Sequence, residues 1–223
     1  MDTILQRETK GRKDTVEGLD PSMSTRYYTR LRATQKLLPL LNNAPHPRVV
    51  SVLAAGLEGP MPDEEDLDLR RPGNWGYWPA SVQATTMGTL ALEVLARENP
   101  GVSFVHSMPG PVATPGLERA RDFGVDVTGE MSVDEAGKRG LFLATSDLYD
   151  SRGREGVVRV AGVERVRKSG GGVFLVGPLV ERVDNEEVLG GMRERGLDVK
   201  VWEFTRGLFH DCLGRNGSFN EPV

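Results

Sequence analysis

The sequence predicts an α/β fold built around a parallel sheet. Three observations carry that expectation. Short β-branched or apolar runs recur at residues 48–53, 102–106 and 172–176. A helical stretch with one apolar face, Met87, Leu90, Ala91, Val94 and Leu95, separates the first two. The order along the chain is helix, strand, loop, helix, strand, loop, helix, strand, helix, and alternation of this kind builds parallel sheets.

Each element has a local cause. Residues 1–20 are polar and charged, with Thr3, Ile4 and Leu5 as the one short strand candidate. Asp20 and Pro21 open a helix, the first as a cap and the second at the first helical position. Tyr27, Leu31, Gln35 and Leu38 then recur about one turn apart, and Pro39 is expected to bend the end. His46-Pro47 is a turn, and 48–53 reads as a buried parallel strand. Residues 56–79 read as a long loop, with four prolines, four glycines and the acids Asp63, Glu64, Glu65 and Asp66. Loops of this length are commonly functional or disordered. The contiguous acids lack the spacing a cation wants and read as a solvated surface. A helix over 80–98 ends at Glu98-Asn-Pro-Gly101. The strand 102–106 runs directly into Ser107-Met-Pro-Gly110. Ser132 and Glu135 form a capping box for a helix through 141–144. Residues 150–172 are charged and glycine-rich, a mobile excursion, and helices follow over 186–195 and 201–213. One domain is expected over 1–223.

Composition narrows the function. Hydrophobic residues make up 38% and charged residues 27% of the 223, the range of a soluble globular protein. A formal net charge of −4 argues against a nucleic-acid-binding surface. No apolar run reaches the ~20 residues that span a bilayer, so no membrane partner is expected. The mixed-charge start lacks a signal-peptide core, and the single cysteine, Cys212, fits a reducing, cytoplasmic setting. No metal-ligand spacing or phosphate loop stands out, and neither cofactor nor metal is expected.

Several segments together resemble the short-chain dehydrogenase/reductase family, in a fungal branch associated with secondary-metabolite pathways. They are Gly11-Arg-Lys-Asp-Thr-Val-Glu-Gly-Leu-Asp20, Tyr27-Tyr-Thr-Arg-Leu-Arg32, residues 37–41, Thr86-Met-Gly-Thr-Leu-Ala-Leu-Glu93, Pro109-Gly-Pro-Val-Ala-Thr114, Ala144-Thr-Ser-Asp-Leu-Tyr149 and Val201-Trp-Glu-Phe-Thr205. The resemblance implies a doubly wound, Rossmann-like parallel sheet with flanking helices. The sheet is expected to be incomplete, because the family's Gly-x-x-x-Gly-x-Gly turn and the strands before residue 48 have no match here.

The resemblance also implies a catalytic Ser, Asn and Tyr-x-x-x-Lys set, in which the lysine lowers the tyrosine pKa. Aligned on the strand, the serine position falls at Ala54. The tyrosine and lysine positions fall near Ser81 and Thr85, and the asparagine near Arg26. No lysine lies between Lys36 and Lys138, so the Tyr/Lys pair is absent in any register.

What remains is a cleft at the carboxyl ends of the strands. Its expected substrate-binding residues are Trp75, Trp78, Ser81, Ala54 and Met108, since clustered rings suit a small apolar ligand. His106, at a strand end, is a candidate general acid or base. Tyr77 and Ser107 are candidate hydrogen-bond donors. The expected function is a non-redox enzyme of natural-product biosynthesis steering a cyclisation, isomerisation or dehydration. The alternatives are a catalytically inactive binding or regulatory homologue, and an NAD(P)-dependent oxidoreductase completed by another chain. A homodimer is expected, through residues 22–41 and 80–98 or through the edge of strand 48–53.

Overall fold

The computed structural model describes residues 12–122, 128–154 and 158–215. Helix α1 begins as Pro21–Met23, widens into a π-helical stretch at Ser24–Tyr28 and continues as Thr29–Leu41. Asp20 caps it, its Oδ1 accepting the Met23 N–H at 2.9 Å. The order continues β1 (Arg48–Val52), α2 (Tyr77–Glu98), β2 (Ser103–Ser107), α3 (Pro115–Asp122), α4 (Val133–Thr145), a 3-10 turn (Asp147–Tyr149), β3 (Phe174–Val176), α5 (Glu186–Glu194) and α6 (Leu197–Arg215). The candidate strand at Thr3–Leu5 lies outside the described residues.

The sheet is parallel, with strand order β1-β2-β3. Val50 pairs with Val105, and His106 lies between Ser51 and Leu175. Side chains alternate across it, as a period of two requires. Val49, Phe104 and Leu175 face a core shared with α1, α2, α5 and α6. Val50, Val105, Phe174 and Val176 face a second core with Leu143 of α4 and Leu148 and Tyr149 of the 3-10 turn. Tyr149 sits edge-on to Phe174, 5.6 Å between centroids, a favoured aromatic geometry. Helices on both faces of a parallel sheet are the arrangement that the Rossmann-like expectation describes.

The structure adjusts several expectations. Helix α2 starts at Tyr77, inside the segment read as loop. Helix α3 has no counterpart in the sequence reading. Pro39 lies inside α1, which continues to Leu41. The half of the capping box that forms is Ser132 Oγ accepting the Glu135 N–H at 3.1 Å, while Glu135 turns to Arg139 at 2.8 Å. The acidic cluster is not uniformly solvated. Asp66 is buried and organises the loop, accepting from Arg70 N, Arg71 N and Asn74 Nδ2 at 2.7, 2.8 and 2.9 Å. Helix α2 is buried within the chain over residues 83–95, so its middle offers no face to a second subunit. For the expected dimer there remain the outer edge of β1, where Val52 is exposed, and the exposed Leu37 and Leu40 of α1. Among the described residues no helix is long and apolar enough to cross a membrane.

Phe104 is fully buried at the centre of the sheet. Phe104→Ala is expected to lower the unfolding free energy by about 3–5 kcal/mol. Asp20→Ala, which removes only a cap, is expected to cost about 1 kcal/mol. Urea unfolding followed by circular dichroism measures both.

Candidate functional site

Two polar assemblies flank the strand ends. The first is buried. The loop after β1 turns at Gly56, whose φ of 86° favours glycine, and brings Glu58 under α2. Thr89 of α2 stands between Glu58 and His106 of β2. Its Oγ1 lies 2.7 Å from Glu58 Oε1 and 2.7 Å from His106 Nδ1. His106 Nε2 accepts the Ala54 N–H at 3.4 Å. That bond leaves the ring proton on Nδ1, so Nδ1 donates to Thr89 and Thr89 donates to Glu58. Glu58 Oε2 accepts from Gly56 N and from Asn185 Nδ2, each at 3.0 Å. His106 is 1% exposed. Burial pulls its pKa down to about 4 against the opposing charge of Glu58, so the imidazole is neutral at neutral pH.

The second assembly is a cavity of about 250 Å³ between the start of α1 and the start of α2. Its walls include Asp20, Thr25 and Arg26 on one side and Trp75, Tyr77 and Ala80 on the other. The Arg26 guanidinium lies 4.9 Å from the centroid of the Tyr77 ring, a cation–π geometry, and donates to Ser81 Oγ. Tyr77 and Trp78 meet edge-on at 5.2 Å. A larger cavity, about 560 Å³, opens between Leu19, Leu67 and Phe204 and contains none of the candidate residues.

The structure thus divides the sequence-predicted residues. It brings Trp75 and Tyr77 together in one cavity wall, adds Arg26 to it, and places Ser81 behind Arg26 as its hydrogen-bond partner. Trp78 is 60% exposed beside Tyr77. His106, Ser107, Ala54 and Met108 gather at the strand ends, but His106 and Ser107 are buried rather than at a cleft mouth. Met108 extends the sheet, its N–H donating to Val176 O at 2.8 Å. Tyr77 does not join His106. Thr89, which touches the histidine, is twelve residues further along α2, about 18 Å at helical rise. Sequence reasoning missed Glu58, Thr89 and Asn185, which no local spacing links. It met Arg26 only as a mismatched position. Among the described residues no group of three or more His, Cys, Asp or Glu is placed to hold a metal.

The resemblance implies a nicotinamide cofactor, with its tyrosine and lysine positions expected near Ser81 and Thr85. The Ser81 hydroxyl donates to Tyr77 O at 2.7 Å and the Thr85 hydroxyl to Ser81 O at 2.9 Å. Both are held within the helix, and neither carries the charge that a lysine brings to a ribose or a tyrosine.

Against this geometry the comparisons are informative. The chain is 60% identical over 201 residues to the NmrA-like family domain-containing oxidoreductase notO of Aspergillus sp., covering 90% of this chain and 60% of that protein. The chain is similar in sequence to fungal proteins named as oxidoreductases. An oxidoreductase of Emericella nidulans is 33% identical over 92% of this chain and 66% of its own length. A short-chain dehydrogenase/reductase of Stachybotrys chartarum is 28% identical over 93% of this chain and 63% of its own length. The chain thus spans about 60–66% of the length of these relatives. No protein-family model matches it.

The buried histidine sets a pH dependence. Its folded pKa lies below that of the unfolded chain, so the unfolded state takes up the proton first as pH falls. Stability from this residue is complete above about pH 6.5 and is lost toward about pH 4. The loss amounts to about 3 kcal/mol. Urea titrations at several pH values measure the slope, and His106→Gln is expected to flatten it.

Proposed function

We propose that this chain acts in fungal natural-product biosynthesis. It binds a small, largely apolar intermediate in the Arg26–Trp75–Tyr77 cavity and steers a cyclisation, isomerisation or dehydration. The observation that carries this reading is the Arg26–Ser81 pair, which stands where the resemblance calls for a proton relay. A guanidinium is too weak an acid to deliver protons at neutral pH, but it stabilises charge developing on a substrate oxygen. Trp75 and Tyr77 contribute shape, and orientation alone accelerates ring closure. In this reading the buried His106 and Ser107 hold the strand ends in place, and any proton His106 exchanges passes through a local opening. A homodimer through the edge of β1 belongs to the same proposal, and a monomeric mass by light scattering at micromolar concentration removes it.

The names of the relatives favour a second reading, an NAD(P)-dependent oxidoreductase in which this chain supplies the substrate side. Deleting the gene in the source organism and weighing the accumulated intermediate separates the two. The first reading expects an intermediate isomeric with the product or heavier by one water. A difference of two hydrogens, or saturable NADPH binding by the chain, overturns it in favour of the second. Arg26→Met is expected to lower kcat/KM about 10²-fold with the circular dichroism spectrum unchanged.

A further inference from the structure

The cavity between α1 and α2 brings together an arginine and an indole N–H with no carboxylate partner among the described residues. Arg26 stacks on Tyr77 and donates to Ser81 Oγ, with no carboxylate in ion-pair distance among the described residues. Arg30, one turn further, donates to two carbonyls, Thr25 O at 3.3 Å and Val52 O, and it too has no carboxylate partner among them. Burial and the charge of Arg26 both pull the Arg30 pKa down, the mark of two cations sharing one region. The indole Nε1 of Trp75, a residue of the cavity wall, is buried with no acceptor among the described residues. A buried donor without a partner is costly and selects for a ligand that supplies one. Two helix starts converge here as well. The α2 cap is Gly76, with no side chain to occupy the first N–H groups. Asp20 is the carboxylate in the wall, and its Oδ1 is already taken by the Met23 N–H.

We propose that this cavity recognises a carboxylate on its ligand, with Arg26 and the Trp75 N–H as its donors and the Trp75 and Tyr77 rings against an apolar body. The proposal rests on the reading that this cavity is the ligand site, and it adds the charge of the ligand. The Arg26 guanidinium in the wall, with no carboxylate in ion-pair distance among the described residues, favours an anion over a neutral carbonyl, since charge-assisted hydrogen bonds are about twice as strong as neutral ones. The volume, about 250 Å³, suits a one- or two-ring molecule. Arg26 and Trp75 then determine specificity, because an analogue lacking the charge offers them only a neutral acceptor.

Isothermal titration calorimetry with 2-naphthoate and its neutral analogue 2-acetonaphthone tests this on the unaltered chain. Saturable binding of the naphthoate, about tenfold or more tighter than that of the ketone, is expected. Arg26→Met should weaken naphthoate about tenfold or more and leave the ketone unchanged. Arg26→Lys should recover part of the loss, and Trp75→Phe should weaken naphthoate several-fold. Absence of naphthoate binding, equal affinity for the two probes, or naphthoate binding indifferent to Arg26→Met overturns the proposal. Should Arg26→Met not fold, the two probes on the unaltered chain still decide. Carboxylate-selective binding together with a redox mass difference in the deletion strain would retain this site and reject the non-redox function.

Discussion

The hydrogen-bonded line from His106 through Thr89 to Glu58 and Asn185 joins four parts of the chain in one buried network. β2, α2, the loop after β1 and the start of α5 each contribute one group. A buried carboxylate is tolerated only when its oxygens are occupied. Glu58 therefore draws in the Gly56 N–H, the Asn185 amide and the Thr89 hydroxyl together. Hydrophobic burial brings α2 onto the sheet, but it does not fix where along the helix the contact falls. The directional bonds of Thr89 do, and they thereby place Ser81 about two turns away and Tyr77 about three.

This separation of duties explains why one end of the strands is closed and the other assembly open. The neutral histidine suits a place from which water is excluded. Arg26 sits near the starts of α1 and α2, where charge faces a cavity. A second buried pair, Glu93 with Arg193 at 3.0 Å, plays a comparable part at the far end of α2. There burial pushes the Glu93 pKa up to about 7 in spite of the arginine.

Much of the fold was legible because it depends on local periodicity. β1, β2 and the apolar face of α2 follow from runs and spacings that need no partner to be recognised, and Asp20-Pro21 announced α1. The first turn of α2 was hidden by its composition. Gly76, Tyr77, Trp78 and Pro79 read as loop residues, yet a proline in the first helical turn is tolerated because its missing N–H has no helical partner there. The site was less legible. Glu58 and Asn185 lie 127 positions apart, and a contact of that separation leaves no trace in spacing. Arg26 looked like a failed match, and its meaning came from the hydroxyl it meets on another helix.

The π-helical stretch at Ser24–Tyr28 can be understood as one surplus residue in a helix whose remainder is regular. The π-helical turn absorbs that residue locally, so the helix on either side keeps the facing it would have in an unbroken α-helix. Met23 before the stretch and Leu31 and Leu38 after it therefore point into one core, and Asp20, Pro21 and Ser22 keep their places in the cavity wall. The surplus residue is accommodated in the turn that presents Thr25 and Arg26 to the cavity. A single-codon deletion at this point would take a residue out of the cavity wall while leaving the helix on both sides in phase.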